Sequence, residues 1–288
     1  MASPVTLVGL LVALGLSSAA PDFGDAGHRI ICQLAYESLS ESTRAEVRRL
    51  TRLYRRPDGG SYDSFAEACT FADLARRRAT EDGVEGWERH ERFSTWHYMN
   101  VPRDTRRIER RQCAPACVLS GIDYHLARLR DESLEGWKRA EALFYLAHWV
   151  GDVHQPLHVS YGDDRGGNDI RDHGLYDRTL HSIWDTGIIE EAGYGSWRAV
   201  ARVLSRSPPP PGSDDPLDWA QESYDLVTSP EVGYCEWRPA HGGRTCVSLG
   251  PSRSFGAAYQ DAVQDDVLRR LQLAAVRLAA VLEDAFGE

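Results

Sequence analysis

Residues Ala147 to His158 read AHWVGDVHQPLH, and this run constrains the chain more than any other. His148 and Asp152 are four apart, so on a helix they share one face. Pro156 ends or kinks that helix, which leaves His158 on an irregular segment able to turn back toward the same face. The spacing recurs in Leu180-His181-Ser182-Ile183-Trp184-Asp185. Both pairs sit among Trp and aliphatic residues, where imidazole and carboxylate need partners or a metal ion. Capping or solvated roles explain a single pair but fit the set poorly. Neutral imidazole with carboxylate and no thiolate suits Zn²⁺. More ligands than one tetrahedral ion takes imply more than one metal. Paired metals clamp the attacking and leaving oxygens of a phosphodiester.

The surroundings of this run are helical. Apolar positions recur at helical spacing over 28–39, 64–79 and 119–130. Residues 137–153 are apolar on most sides and rich in aromatics, as a buried helix requires. Val263, Val267, Leu271, Ala274, Ala275, Leu278 and Leu282 form a stripe along 258–285. Alternating strand patterns are scarce, so the expected class is all-α, with a short hairpin around 160–178 where Gly162 and Gly166-Gly167 supply turns. The proline-rich stretch 205–216 reads as a surface insertion in a single domain covering 21–288. Hydrophobic residues are 42% of the 288, enough for a sizeable core.

Residues 5–16 are apolar but short for a bilayer, and small residues follow. Residues 1–20 therefore read as a signal peptide cleaved near Ala19 or Ala20, against the alternative of a buried N-terminal helix. Export makes the cysteines Cys32, Cys69, Cys113, Cys117, Cys235 and Cys246 candidates for three disulfides. Close spacing favours Cys113–Cys117 and Cys235–Cys246, although sequence alone leaves the pairing open. No CxxC pair points to a thiolate metal site. The net charge of −10 argues against loose, charge-driven nucleic-acid binding but not against a metalloenzyme acting on phosphates.

Five segments in this order resemble the single-strand-specific trinuclear zinc nucleases of fungi, plants and bacteria: Phe23-Gly24-Asp25-Ala26-Gly27-His28, Ala72-Asp73, Trp96-His97-Tyr98, His148 through His158, and His181 through Asp185. The resemblance spans nearly the whole mature chain and implies one mostly helical domain. It also implies three zinc ions. One takes Asp73, His97, His148 and Asp152. A second takes His158, His181 and Asp185. A third takes His28, Asp152 and the backbone amine and carbonyl of the first mature residue, Phe23. The family usually begins with Trp there. Only backbone atoms ligate, but the amine must be free, so cleavage must fall immediately before Phe23 and not leave Pro21 and Asp22.

By the same resemblance Arg76 contacts phosphate, Tyr98 stacks on a base and Asn100 bonds a base edge, while Asp73 or Asp152 orients the attacking water. The bland alternatives are a surface arginine, a packing tyrosine and a turn asparagine. The pairing Cys32–Cys69 fits the plant members. The activity implied is hydrolysis of single-stranded DNA and RNA to 5′-phosphate products, with 3′-nucleotidase activity. Zinc-dependent phospholipases C share the fold, but they usually carry Glu at the position of Asp185 and a longer gap before the first histidine. A non-catalytic zinc-binding protein is the other alternative. His154 reads as structural or as support for a ligand. His90, His125, His173 and His241 read as ordinary, Asp63 and Asp169 as loop carboxylates, and Gly166-Gly167-Asn168 as a turn.

Overall fold

Gly136–Asp152 is apolar almost all round, so it can only lie where other elements cover every side. In the computed structural model it is the central helix, and every residue from Ala142 to Asp152 is buried. The structure describes residues 24–80, 85–206, 212–240, 243–248 and 250–287. The helices are α1 (Gly24–Ser38), α2 (Glu41–Leu53), α3 (Phe65–Ala68), α4 (Phe71–Ala79), α5 (Val118–Arg130), α6 (Gly136–Asp152), α7 (Leu180–Ser182), α8 (Ile188–Glu191), α9 (Trp197–Leu204), α10 (Pro216–Val227) and α11 (Ala257–Phe286). Helices α1, α2, α4, α5 and α11 pack directly on α6. The fold is mostly helical, as the periodicity predicts.

The strands are short: β1 (Met99–Val101), β2 (Val159–Tyr161), β3 (Arg171–Asp172), β4 (Cys235–Ala240), β5 (Gly243–Ser248) and β6 (Ser252–Arg253). They pair as parallel β1–β2, parallel β3–β6 and antiparallel β4–β5. The hairpin expected around 160–178 is therefore not there; it lies at β4–β5, stapled by Cys235–Cys246. The reason is local. Asp164 is buried, accepts the Gly167 N–H at 3.1 Å and pairs with Arg103 at 2.6 Å. This curls 162–169 into a loop and leaves the flanking strands to pair with distant segments.

Two further differences have physical causes. The stretch 64–79 divides at Cys69-Thr70, where Cys69 closes α3 and bonds to Cys32 of α1. Helix α2 carries so many charged residues that its buried stripe, Thr43, Val47, Leu50 and Thr51, is inconspicuous. Cys113–Cys117 forms the third disulfide. Of the insertion at 205–216, the centre lies outside the described residues; Asp215 caps α10 and Pro216 starts it. Residues 1–20, Phe23 and His241 also lie outside them. No helix among the described residues is long and apolar enough to cross a membrane.

The end of α6 is held from behind. Arg270 of α11 donates to the His154 carbonyl at 3.0 Å, and Arg277 contacts the His154 ring at 2.8 Å. Both arginines share Glu222 of α10. His154 is thus structural, facing away from the other histidines of its run with its ring against Trp219. His90 and His125 pack into the aromatic core beside Tyr145.

Candidate metal centre

Each candidate ligand is delivered by a different local device. His148 and Asp152 share a face over the last turns of α6. Pro156 opens a short 3₁₀ turn, Pro156–His158, that swings His158 back. Pairing of Met99 with Val159 then brings His97, two residues before β1, to the same end as His158. Asp73 lies in the first turn of α4, and His28 projects from α1. His181 is the middle residue of the short helical turn Leu180–Ser182, and Asp185 sits in the π turn Ile183–Gly187 that follows. Such turns recur at functional sites.

These eight side chains, five imidazoles and three carboxylates, are all buried and converge on one another. Asp152 is the hub. Its Oδ1 lies 3.4 Å from His28 Nε2 and 3.3 Å from His158 Nδ1. Its Oδ2 lies 3.1 Å from His97 Nδ1 and 3.4 Å from His148 Nε2. Asp73 Oδ1 faces His97 Nδ1 at 3.6 Å and His148 Nε2 at 3.7 Å. Asp185 faces His158 Nε2 at 3.6 Å and His181 Nε2 at 3.4 Å. Donor atoms of His28, Asp73 and His148, of His97, His148 and Asp152, and of His158, His181 and Asp185 form three groups, each within 4.8 Å.

The spacings favour metal over direct hydrogen bonding. Two ligands of one tetrahedral ion at about 2.0–2.1 Å stand about 3.3 Å apart. Most pairs here fall at 3.4–3.7 Å, beyond a normal N–H···O bond. His148 Nε2 and Asp185 Oδ2 are buried and make no hydrogen bond among the described residues. A cation between the groups satisfies both.

The far side of the rings is organised to match. Nδ1–H of His148, His158 and His181 donates to the carbonyls of Cys69, His97 and Gly166, each at 2.8 Å. Those bonds fix the tautomer and leave Nε2 as the free donor pair toward the centre. Gly166 must be glycine: its φ is +63°, and a Cβ would stand 2.7 Å from the Leu157 carbonyl. Burial holds the His148 imidazole well below its ordinary range, so it is neutral and ready to ligate.

Of the eight candidate side chains, His181 lines a cleft of about 460 Å³. Arg76, Tyr98 and Asn100 line it as well. Arg76 reaches within 3.8 Å of Asp73 Oδ1. All the expected site residues among those described thus meet in one place. Sequence reasoning missed several others. Gln155 is buried, donates to Asp185 Oδ1 at 2.6 Å and accepts the Leu157 N–H at 2.6 Å. Its position inside the His-rich run was the available signal. Arg77, Arg165 and Asn168 also line the cleft, and no spacing rule marks them.

Comparison with known proteins agrees with this geometry. Residues 23–287 match the family described as S1/P1 nuclease. Endonuclease 2 of Arabidopsis thaliana is 27% identical, with 98% of this chain and 97% of the relative aligned. Endonuclease 3 of the same plant is 30% identical over 65% of this chain and 61% of its own length. Nuclease S1 of Aspergillus oryzae is 30% identical over 67% of this chain and 63% of its own length. With the match covering the chain from residue 23 almost to its end, and with the histidines and aspartates gathered in groups able to hold metal, the chain belongs to the S1/P1 nuclease family and is a phosphodiester-cleaving hydrolase.

Proposed function

We propose that this protein is a secreted zinc-dependent endonuclease that hydrolyses single-stranded DNA and RNA to products with 5′-phosphates, and that it also removes 3′-phosphates from nucleotides. The observation that carries this reading is the convergence of eight buried histidines and aspartates beneath a cleft lined by Arg76 and Tyr98. Asp73, His97, His148 and Asp152 hold one zinc, and His158, His181 and Asp185 hold a second. His28 and Asp152 hold a third together with the backbone of Phe23. The family match begins at residue 23, which supports maturation at that point.

Bound zinc ions supply Lewis acidity toward a phosphoryl oxygen and make a water acidic enough to act near neutral pH. The chain's own residues do the rest. Asp73 and Asp152 orient the attacking water by accepting its hydrogen bonds. Arg76 stabilises the charge that develops on the phosphate. Tyr98 stacks on a neighbouring base, and Asn100 bonds its edge. Stacking needs an exposed base face, which a duplex hides, so single strands are preferred. Three disulfides suit an oxidising compartment and a cleaved leader.

The test is release of acid-soluble nucleotides from denatured DNA and from RNA, with and without chelator, alongside zinc per chain. The expected result is about three zincs and chelator-sensitive release from both polymers. Full metal content with no release from either polymer overturns the reading, and a phosphatidylcholine assay then tests lipid cleavage.

A further inference from the structure

The cleft runs against the charge of the molecule. The chain has 43 acidic and 33 basic residues, yet the cleft is lined by Arg76, Arg77 and Arg165 and by no Asp or Glu among the described residues. Arg76 stands over Asp73 and so serves the reacting phosphate. That leaves two cations brought by different elements: Arg77 on α4, the helix that presents Asp73, and Arg165 on the loop whose next residue, Gly166, holds His181 by its carbonyl.

We propose that Arg77 and Arg165 are phosphate subsites for nucleotides on either side of the scissile bond, so that the site grips a strand rather than a single phosphate. This rests on the nuclease reading above.

Arg165 carries the case furthest. Its backbone φ is +55°, followed by +63° at Gly166 and +80° at Gly167. A non-glycine residue in that region is uncommon and costs energy, and such costs cluster at functional sites. Here the arch sets the guanidinium at the cleft rim. It pairs with Asp169 at 3.4 Å, an ion pair with side chains 73% and 49% exposed. Exposed pairs of this kind contribute little. A phosphate offers the same guanidinium shorter, charge-assisted and bidentate bonds, so exchange is favourable. Arg77 lies one residue from Arg76, is partly buried and lines the same cleft.

The experiment compares wild type with Arg165→Asn, since Asn tolerates a positive φ, and with Arg77→Gln, which is compatible with a helix. Substrates are a twenty-nucleotide oligothymidylate and thymidylyl-thymidine, which has one phosphate. For each variant we expect kcat/KM on the oligomer to fall about tenfold, mainly through KM, and at least about fivefold more than on the dinucleotide. The log–log salt dependence on the oligomer becomes shallower by about 0.7 per substitution, as loss of one single-strand phosphate contact requires. Equal fractional losses on the two substrates, or an unchanged salt slope, overturn the subsites. Wild type inactive on both substrates overturns the nuclease reading instead. Zinc content and circular dichroism of each variant confirm that it is folded; should one fail, the other carries the test.

Discussion

His28 lies flat against His148, with ring centroids 3.7 Å apart and 15° between the planes. The stack joins α1 to α6 within the candidate metal-holding groups, and Gly151 permits it. A Cβ on residue 151 would stand 2.7 Å from His28 Nδ1. Gly151→Ala therefore displaces the His28 ring while leaving the helix favoured, since Ala is the better helix former. The expected result is a metal content lower by about one ion per chain and activity down at least about tenfold, with unchanged far-ultraviolet dichroism. Elemental analysis of the purified variant checks it; full metal content would show that the stack is not needed.

Gln155 bridges the backbone at Leu157 and the carboxylate of Asp185, both at 2.6 Å. Gln155→Glu replaces the N–H donor with a second carboxylate facing Asp185. Loss of such support costs about 10–100-fold in metal affinity. The deficit should be confined to one ion of the set, because Asp185 groups with His158 and His181. Zinc titration into chelated protein should show one weakened class and the others unchanged.

The Cys32–Cys69 bond closes a 37-residue separation, and the Cys69 carbonyl is the acceptor that orients His148. Replacing both cysteines by serine should cost about 4 kcal/mol of stability by the loop-closure estimate. It should also weaken metal retention more than the double replacement of Cys235 and Cys246, which staple a hairpin that carries none of the eight side chains. Urea unfolding and competitive chelation measured together separate the two effects.

Legibility from sequence followed the strength of the periodic signal. α6 and α11 were readable because their apolar faces are long. The ligands were readable because a helix converts a four-residue spacing into one face, as with His148 and Asp152. The groups made by long-range pairing were not. Register between Met99 and Val159, which aligns His97 with His158, has no local signature. Nor has the loop at Arg165, whose shape depends on buried Asp164 reaching Arg103 and Tyr234. The misplaced hairpin has the same origin: turn residues at 162–167 serve a loop whose Gly166 carbonyl holds His181 instead of a strand reversal.

Buried histidines outside the groups make the fold acid-sensitive. Burial, helped by Arg89 and Arg92, pushes the His90 imidazole down to about 3. In the unfolded chain it titrates near 6.5, so between those values the unfolded state binds more protons. The contribution is complete above pH about 6.5 and is lost as pH falls, at up to about 1.4 kcal/mol per unit. His90→Gln should therefore lose about 2 kcal/mol less than wild type between pH 7 and pH 5. Unfolding free energies at the two pH values, in the same zinc concentration, check it.

The central claim is that the eight converging side chains hold zinc. Anomalous diffraction on either side of the zinc absorption edge locates the ions without reference to activity. The account predicts three zinc peaks: one beside Asp73, His97, His148 and Asp152, one beside His158, His181 and Asp185, and one beside His28 and Asp152. Crystals of zinc-supplied protein with no anomalous density at these residues, or with density only elsewhere, would contradict it.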